Sequence, residues 1–401
     1  MTERFALFAT ILLTGCATLS PVSESAPTDR SETARQGAIA LLPVLDREAG
    51  PKANLFYSPA SIEQAFGMLG LGAAGETKAQ IEAILPPPRD PKGLATKKDG
   101  VEVRLANALW LSDKYRFRQS FVESAERSYG ATAEAIDIAR PKQAADRVNA
   151  WASKATDGLI SQVLTAKSVT PLTVAFLTNA LYFDGLWAKP FDGREEKPFL
   201  FGDGSQRSFT LMREVLVVPL AEREGWQAVR LPYRNARYAM DVLLPERRTV
   251  MKAAPPPSRI TEFAADLAAA KPRPVDVSLP RFEIEYRRKL IPDLQAIGLT
   301  LPFDSAQADL SAVAEPGQAR LAVDDVEHIA KLQVFDTGTR APAVTSMRIV
   351  VVGATRYDPE PVPCTVDRPF IVVIRDLERG EILFLGRIAN PQPFEPEVVE
   401  D

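Results

Sequence analysis

The sequence predicts an α+β fold built around a large, mainly antiparallel β-sheet. Apolar residues recur at helical spacing in the N-terminal part, whereas strand-like apolar runs dominate the central and C-terminal parts. Because helices and strands are segregated along the chain, α+β is favoured over alternating βαβ units. The chain has 401 residues, 46% of them apolar and 25% charged. This composition indicates an ordinary globular protein and excludes a fibrous or disordered one.

The first sixteen residues have the pattern of a processed leader. Arg4 precedes an apolar run at 5–13, and the run ends in Leu13-Thr14-Gly15-Cys16. This pattern resembles a bacterial lipobox, in which the cysteine thiol is acylated. We therefore expect a lipoprotein signal peptide at 1–15 and lipidation at Cys16. The alternatives are a short membrane anchor or a chance cysteine, but the run is too short to cross a bilayer as a helix.

Residues 16–35 begin with the expected lipidated Cys16 and continue with a stretch rich in Ser, Thr and Pro that lacks apolar periodicity. Such composition predicts a flexible tether. A lipid on Cys16 would hold the following domain at a membrane, so we expect a cell-envelope lipoprotein. Ala17 after the cysteine is compatible with the outer membrane, and an extracellular location is the alternative. The second cysteine, Cys364, is interpreted as a packing residue.

The N-terminal half of the chain shows helical patterns. A helix, a turn and a second helix are predicted from Ala60 to Leu85, with glycines at 70, 72 and 75 in the turn. Further helices are predicted at 121–128 and 144–163.

The first predicted strand is at 101–105, where apolar and polar residues alternate. The other predicted strands are 172–183, 209–220, 238–244, 275–284, 328–334, 370–375 and 382–388.

Charge and motif content narrow the possible functions. The net charge of −4 comes from dispersed charges, so no nucleic-acid partner is expected. No motif indicates a metal or a cofactor. A hydrolase would need a base and a nucleophile, but His328 is the only histidine and there is no Gly-x-Ser-x-Gly turn.

Several separate blocks of the chain together resemble the serpin family, from Gln36 to Phe394. The most specific block is Leu177-Thr178-Asn179-Ala180-Leu181-Tyr182-Phe183-Asp184-Gly185-Leu186-Trp187. Others lie at 54–62, 71–77, 148–151, 279–282, 368–370 and 384–391, in family order. The resemblance implies a serpin domain at 36–394 followed by a tail at 395–401.

The resemblance also implies a fold and a function. The expected serpin fold has a large central, mainly antiparallel sheet, further sheets, about eight helices and an exposed reactive-centre loop. The expected function is inhibition of serine-type endopeptidases, as a monomeric suicide substrate and not as an enzyme. By matching position, Ser58, Ser61, Asn179 and His328 would form a polar cluster called the shutter, where the sheet opens. Trp187 would lie at the top of the sheet, in the region called the breach.

Residues 334–356 are similar to a serpin reactive-centre loop with its hinge. Cleavage frees this loop to enter the main sheet as a new strand, which requires small inward-facing side chains. Gly338 and the alternating Thr339, Ala341, Ala343 and Thr345 form the expected hinge. Without the resemblance, the same residues read as an edge strand and a loop.

Family spacing places the reactive bond between Val352 and Gly353, which predicts an elastase-like target protease. The stretch from Gly353 to Pro369 is longer than in many relatives, so Arg348 and Arg356 remain alternatives that would favour a trypsin-like protease.

Two departures from the family pattern bear on function. Pro342 lies in the hinge, and proline cannot donate a hydrogen bond to a sheet. The alternative function is therefore a non-inhibitory binding or scaffold protein at the membrane surface. The connection at 86–100 is also short and lacks room for a helix that binds polyanionic activators in some relatives.

Overall fold

The computed structural model describes residues 37–171, 173–246, 248, 250–317, 320–339 and 359–394. Seven α-helices lie in this part of the chain: α1 (Leu42–Ala49), α2 (Pro59–Gly72), α3 (Gly75–Ile84), α4 (Gln119–Tyr129), α5 (Pro141–Ala155), α6 (Pro257–Ala269) and α7 (Ile291–Ala296). Short 3-10 helices cover Gly37–Leu41, Ala166–Ser168 and Leu301–Phe303.

The same residues contain eighteen β-strands. They are β1 (Leu55–Tyr57), β2 (Thr96–Lys98), β3 (Val101–Ser112), β4 (Thr132–Ile136), β5 (Ala175–Leu186), β6 (Gly193–Leu200), β7 (Gln206–Val218), β8 (Leu220–Arg223), β9 (Trp226–Pro232), β10 (Tyr238–Pro245), β11 (Arg273–Pro280), β12 (Phe282–Lys289), β13 (Glu327–Phe335), β14 (Gly338–Thr339), β15 (Val362–Thr365), β16 (Phe370–Asp376), β17 (Glu381–Ile388) and β18 (Gln392–Pro393).

The main sheet has eight strands in the order β18-β12-β13-β14-β5-β3-β2, with β4 pairing beside β3. Only the β3–β4 pair is parallel. At the centre of the sheet, the two-residue strand β14 is the element that joins β13 to β5. The centre of the sheet is therefore the place where it is least complete.

Two further sheets pack against the main one. One is antiparallel, in the order β1-β17-β16-β10-β9-β8, and the other has the order β15-β11-β7-β6. Strand β10 is buried on both faces: Met240 and Val242 join one apolar cluster with residues of the main sheet, and Leu243 joins another with the helices. The six-stranded sheet thus contacts the main sheet through one face of β10 and the helices through the other.

Helix α5 lies on the other face of the main sheet. Its Val148 is buried, and Trp151 contacts Trp110 of β3 edge-on with ring centroids 5.9 Å apart. The loop that follows is held by Asn149, whose Oδ1 accepts hydrogen bonds from the backbone nitrogens of Val163 and Leu164. This helix and its loop cover part of the outer face of the sheet.

The predicted α+β class and mainly antiparallel sheet are confirmed, as is the helix pair between 60 and 85. The described residues contain seven α-helices, where about eight were expected. The connection at 86–100 contains no helix. The expected exposed reactive-centre loop falls on residues 340–358, outside the described residues.

Three predicted elements end early or are divided in the structure. The helix predicted at 144–163 ends at Ala155, because Asp157 and Gly158 adopt positive φ angles of 53° and 77° that a right-handed helix excludes. The strand predicted at 209–220 is interrupted at Pro219, which has no amide proton to donate. The strand predicted at 275–284 is two strands in two sheets, which part at Arg281.

Candidate functional site

The main sheet contains an opening between β5 and β13. Strand β14 fills only its upper end, where Thr339 lies opposite Val334 and Gly185, and Gly338 lies opposite Phe335 and Leu186. Below Thr339, a cavity of about 900 Å³ lies between the two strands and extends to the loop at 159–170 and the segment at 320–326. We call this space the sheet opening. Its walls include Asn179, Leu181 and Phe183 of β5, His328, Ala330 and Leu332 of β13, and Ser58, Ser61 and Ile62 at the start of α2.

The two strands that border the sheet opening face each other without an intervening strand in the described part of the chain. Each such edge carries backbone N–H and C=O groups that a strand between them could pair with. An extended segment can therefore add to this sheet from within, between two existing strands.

The predicted polar cluster lies at the middle of the sheet opening. Ser58 begins α2, and its Oγ accepts a 3.0 Å hydrogen bond from the Ser61 backbone nitrogen. The Ser61 hydroxyl donates to Oδ1 of Asn179 on β5. From the opposite wall, Nε2 of His328 on β13 accepts a 3.1 Å hydrogen bond from the Ser58 backbone nitrogen. The structure thus brings all four predicted residues together, and their role as a shutter stays a prediction.

Burial keeps His328 neutral. Its side chain is buried, and desolvation lowers the pKa of the imidazole from 6.5 to about 4. The hydrogen bond from Ser58 requires an unprotonated Nε2, which agrees with a neutral ring. Since Nε2 accepts from a backbone amide and not from a hydroxyl, this contact does not activate a serine nucleophile.

The network extends further than the sequence predicted. Asn179 Nδ2 donates to Oδ1 of Asn107 on β3 at 2.7 Å, and Asn107 Nδ2 donates to the Tyr129 carbonyl at the end of α4 at 2.8 Å. One chain of hydrogen bonds therefore links β13, α2, β5, β3 and α4. The signal for Asn107 was available: it is a single amide within the apolar run Leu105-Ala106-Asn107-Ala108-Leu109, and β3 pairs it directly with Asn179.

The predicted hinge residues Gly338 and Thr339 lie inside the sheet, and both are buried. A Cβ atom on Gly338 would lie 2.3 Å from the Gly185 carbonyl oxygen, so no other residue fits this position without a shift. The Thr339 hydroxyl forms a 2.7 Å hydrogen bond with the hydroxyl of Tyr233.

Trp187 lies at the top of the sheet opening, as predicted. Its indole Nε1 donates a 3.0 Å hydrogen bond to the Phe335 carbonyl, and its ring stacks on Tyr233 with centroids 4.7 Å apart. Tyr233 was not among the predicted site residues. It lies 106 positions from Thr339 in the chain, and no local pattern marks it.

An ion cluster holds the turn that precedes the hinge. Asp336 Oδ2 lies 3.1 Å from Nε of Arg281, whose side chain is only 4% exposed, and 3.0 Å from the second guanidinium, that of Arg194. Arg281 occupies the corner between β11 and β12. The strand predicted at 275–284 is therefore divided at a residue whose charged side chain is buried beside Asp336.

The remaining predicted site residues lie outside the described residues. They are the hinge residues Ala341, Ala343 and Thr345, the reactive-bond residues Val352 and Gly353 with the alternatives Arg348 and Arg356, and the lipidation residue Cys16.

Cys364 of β15 is buried, and burial raises the pKa of its thiol to about 12. A thiol in this state is a packing residue and not a nucleophile. Among the described residues, no three His, Cys, Asp or Glu side chains are grouped to hold a metal ion. The helices of the described ranges include none with the length and apolar character needed to cross a membrane.

Comparisons with known proteins agree on one family. The family described as Serpin (serine protease inhibitor) matches residues 32–391. Serpin-Z2A of Triticum aestivum is 30% identical over 371 residues, covering 84% of this chain and 90% of the relative. Serpin B8 of Homo sapiens is 30% identical over 370 residues, covering 88% and 97%. The crystal structure of native protease nexin-1 with heparin superposes with a TM-score of 0.76 at 25% identity, covering 90% of this chain and 99% of that one.

Proposed function

The chain belongs to the serpin family, and from that premise we propose that it inhibits serine-type endopeptidases as a suicide substrate. The observation that carries the proposal is the sheet opening, whose upper end already holds Gly338 and Thr339 paired between β13 and β5. The segment that follows Thr339 is therefore attached at the mouth of a space that accepts a strand.

The proposed reaction begins as ordinary proteolysis. The protease serine attacks the Val352 carbonyl, and the Gly353 amine leaves with a proton, so that an ester joins Val352 to the protease. Water would normally hydrolyse this ester. Insertion of the freed segment into the sheet opening would instead carry the tethered protease away from the hinge before hydrolysis. The chain acts as an inhibitor in this scheme and not as an enzyme.

The register seen at β14 predicts where each hinge residue would go. Gly338 and Thr339 each lie opposite one residue of β13 and one residue of β5 in antiparallel register. Continued downward, Ala341 would lie between Leu332 and Phe183, and Ala343 between Ala330 and Leu181. Small side chains suit these two positions, because the residues that would flank them on β13 and on β5 are buried and apolar.

The same register brings Thr345 between His328 and Asn179, at the centre of the polar network. A hydroxyl at that point can join a hydrogen-bond network, whereas a larger apolar side chain would break it. The register thus brings the polar hinge residue Thr345 to the polar part of the sheet opening, and this match supports the proposal.

Pro342 would face outward between Lys331 and Tyr182. The backbone nitrogen of Trp187 donates to the Thr337 carbonyl. In a continued antiparallel strand, the odd-numbered loop residues would therefore form hydrogen bonds with β5 and the even-numbered ones with β13. Pro342 would thus leave the Lys331 carbonyl without its donor. One missing hydrogen bond costs about 1 kcal/mol, which weakens insertion without forbidding it.

The second candidate function is a non-inhibitory binding or scaffold protein at the membrane surface. Pro342 is the observation that favours it. Under either function, we propose that the signal peptide at 1–15 is removed, that a lipid on Cys16 anchors the tether at 16–35, and that the domain works as a monomer in the cell envelope, on the outer membrane, or outside the cell.

The test uses a soluble form that starts at Ser20, incubated separately with an elastase-like and a trypsin-like protease. Inhibition predicts a covalent complex that survives heat and SDS, and cleaved protein that melts well above the intact form. Mass spectrometry of the released C-terminal fragment distinguishes cleavage after Val352 from cleavage after Arg348 or Arg356.

Two variants sharpen this test. Pro342→Ala restores the missing donor and is expected to increase the fraction of protease trapped. Thr339→Arg places a charge at a buried hinge position and is expected to convert the inhibitor into a substrate. Clean cleavage of the wild type and of Pro342→Ala, with neither complex nor stabilisation, would favour the binding-protein function.

A further inference from the structure

The Tyr233 hydroxyl contacts the hinge directly. It lies 2.7 Å from the Thr339 hydroxyl, and both side chains are buried, at 0% and 1% exposure. Burial raises the pKa of Tyr233 far above its ordinary value, so the phenol keeps its proton. The two hydroxyls therefore satisfy each other in a place that water does not reach.

The Tyr233 ring is fixed by its neighbours. It stacks on Trp187 with centroids 4.7 Å apart and an interplanar angle of 10°, and it meets Phe183 edge-on at 4.8 Å. Trp187 and Tyr233 also form an isolated backbone bridge. With its rotamer restricted in this way, Tyr233 cannot turn its hydroxyl toward another partner without disturbing these contacts.

Gly185 allows the hinge to approach this ring. A Cβ atom on Gly185 would lie 2.7 Å from Cδ1 of Tyr233, and a Cβ atom on Gly338 would lie 2.3 Å from the Gly185 carbonyl oxygen. The two glycines thus let β14, β5 and the tyrosine ring pack in direct contact. We call the surroundings of Thr339 formed by Phe183, Gly185, Trp187 and Tyr233 the hinge socket.

Withdrawal of Thr339 from the sheet would have an unequal effect on the two hydroxyls. The Thr339 hydroxyl would gain water, but the Tyr233 hydroxyl would remain between Trp187 and Phe183 without its partner. Leaving a buried donor without its partner costs more free energy than a hydrogen bond contributes on balance to stability. The socket therefore favours the inserted position of Thr339.

We propose that Tyr233 is a positioning residue that retains the first two hinge residues in the main sheet before any protease acts. The consequence for inhibition rests on the proposed function: insertion that starts from Thr339 already in place has less far to go before the ester is hydrolysed. Loss of the Tyr233 hydroxyl would then shift the outcome from trapped protease toward cleaved inhibitor.

The test is a double-mutant cycle in the full-length chain with Tyr233→Phe, Thr339→Val and the pair. Each single variant leaves one buried hydroxyl unpaired, whereas the pair replaces both by apolar groups of the same shape, a change that is close to neutral. We expect amide hydrogen exchange in peptides containing Gly338 and Thr339 to be about tenfold faster in Tyr233→Phe, because the unpaired Thr339 hydroxyl reaches water only when the hinge withdraws. The acceleration in Thr339→Val should be smaller, because the Tyr233 hydroxyl stays buried and unpaired in both positions of the hinge. The double variant is expected to return close to the wild-type rate.

Tyr238→Phe is the matched control. Tyr238 is also buried and also contacts Phe183 edge-on, but its hydroxyl donates to the Leu94 carbonyl at 3.0 Å. Its loss is expected to lower the melting temperature while leaving exchange at Gly338 and Thr339 unchanged. If exchange in Tyr238→Phe were as fast as in Tyr233→Phe, the effect would be a general loss of stability, and the proposal would be overturned.

The second readout is the number of inhibitor molecules consumed for each protease trapped. This number is expected to rise several-fold in Tyr233→Phe and to recover in the double variant. Unchanged exchange in Tyr233→Phe, or a double variant that exchanges as fast as Tyr233→Phe, would overturn the proposal. A wild type that traps no protease but shows the exchange pattern would contradict the inhibitory function alone and leave the positioning role supported.

Discussion

His328 and Ser58 are joined by one hydrogen bond across 270 positions of the chain, from the Ser58 backbone nitrogen to Nε2 of the imidazole at 3.1 Å. The bond connects strand β13 to the N-cap residue of helix α2, on the wall of the sheet opening. Because Nε2 accepts, protonation of the ring would break the bond and leave a buried charge.

Acid should therefore weaken the fold through His328. Its pKa is about 4 in the folded protein against 6.5 ordinarily, so between these values the unfolded chain binds a proton that the folded chain does not. His328 thus contributes stability above pH 6.5 that is lost as pH falls to 4, on the order of 3 kcal/mol. We expect the stability difference between wild type and His328→Gln, measured by urea unfolding, to shrink by that amount between pH 7 and pH 4. A difference that stays constant with pH would contradict this origin.

Glu63 should have the opposite effect. Its Oε1 accepts a 2.9 Å hydrogen bond from the Ala38 backbone nitrogen, and burial raises its pKa from 4.5 to about 7. A raised folded pKa gives stability that is fully present below pH 4.5 and is lost as pH rises through 7. The variant Glu63→Gln keeps the acceptor without the charge, so we expect it to match wild type at pH 4.5 and exceed it by about 3 kcal/mol at pH 8.

Urea unfolding of wild type and Glu63→Gln at pH 4.5, 6 and 8 tests this expectation. Since the Glu63 and His328 contributions change in opposite directions between pH 4.5 and 6.5, they should partly cancel in wild type, and each variant alone should reveal one of them. A Glu63→Gln variant less stable than wild type at pH 8 would show that the ionised carboxylate is the favoured form.

Asn179 should be the most sensitive residue of the polar network. Its amide binds Ser61 and Asn107 together, so Asn179→Ala removes one hydrogen bond from buried Asn107 and one from half-buried Ser61. The expected loss of unfolding free energy is about 1–3 kcal/mol. A cycle with Asn107→Ala should show a coupling of at least about 0.5 kcal/mol, because the two residues share a bond. Strictly additive losses would mean that the two amides act independently.

The two arginines that contact Asp336 should differ sharply in importance. Arg281 is 4% exposed and Arg194 is 55% exposed, so only the first is a buried charge. We expect Asp336→Asn to lower the unfolding free energy by about 3 kcal/mol, because it weakens the charge pairing of buried Arg281. Arg194→Ala should lower it by less than about 1 kcal/mol. Thermal and urea unfolding of the two variants distinguish these magnitudes, and equal losses would contradict the burial argument.

Local patterns in the sequence carried much of the fold and part of the site. The helix pair between 60 and 85 was predicted because its apolar spacing and glycine turn are encoded within the segment itself. The shutter residues were predicted through family position, and the structure brings Ser58, Ser61, Asn179 and His328 together. Hydroxyl, amide and imidazole groups in apolar surroundings need hydrogen-bond partners, so these residue types already indicated that the four side chains contact one another.

Other features depend on contacts between distant parts of the chain. Nothing near Tyr233 indicates that its hydroxyl would meet Thr339, since Tyr233 follows β9 of the six-stranded sheet whereas Thr339 lies in the main sheet, and only packing brings them together. The break at Arg281 was missed for a similar reason: alternation continues through 275–284, and the corner is fixed by Asp336, more than fifty positions away.

The burial of Cys364 makes this protein convenient for spectroscopy. The chain has two cysteines, so a soluble form that begins after Cys16 keeps one thiol, and that thiol is 1% exposed with a pKa of about 12. Maleimide and similar reagents react with thiolates, so the native protein should remain unlabelled. A cysteine introduced at any exposed position would then carry a single fluorophore or spin label, and distances within one molecule could be followed in real time without first removing a native residue.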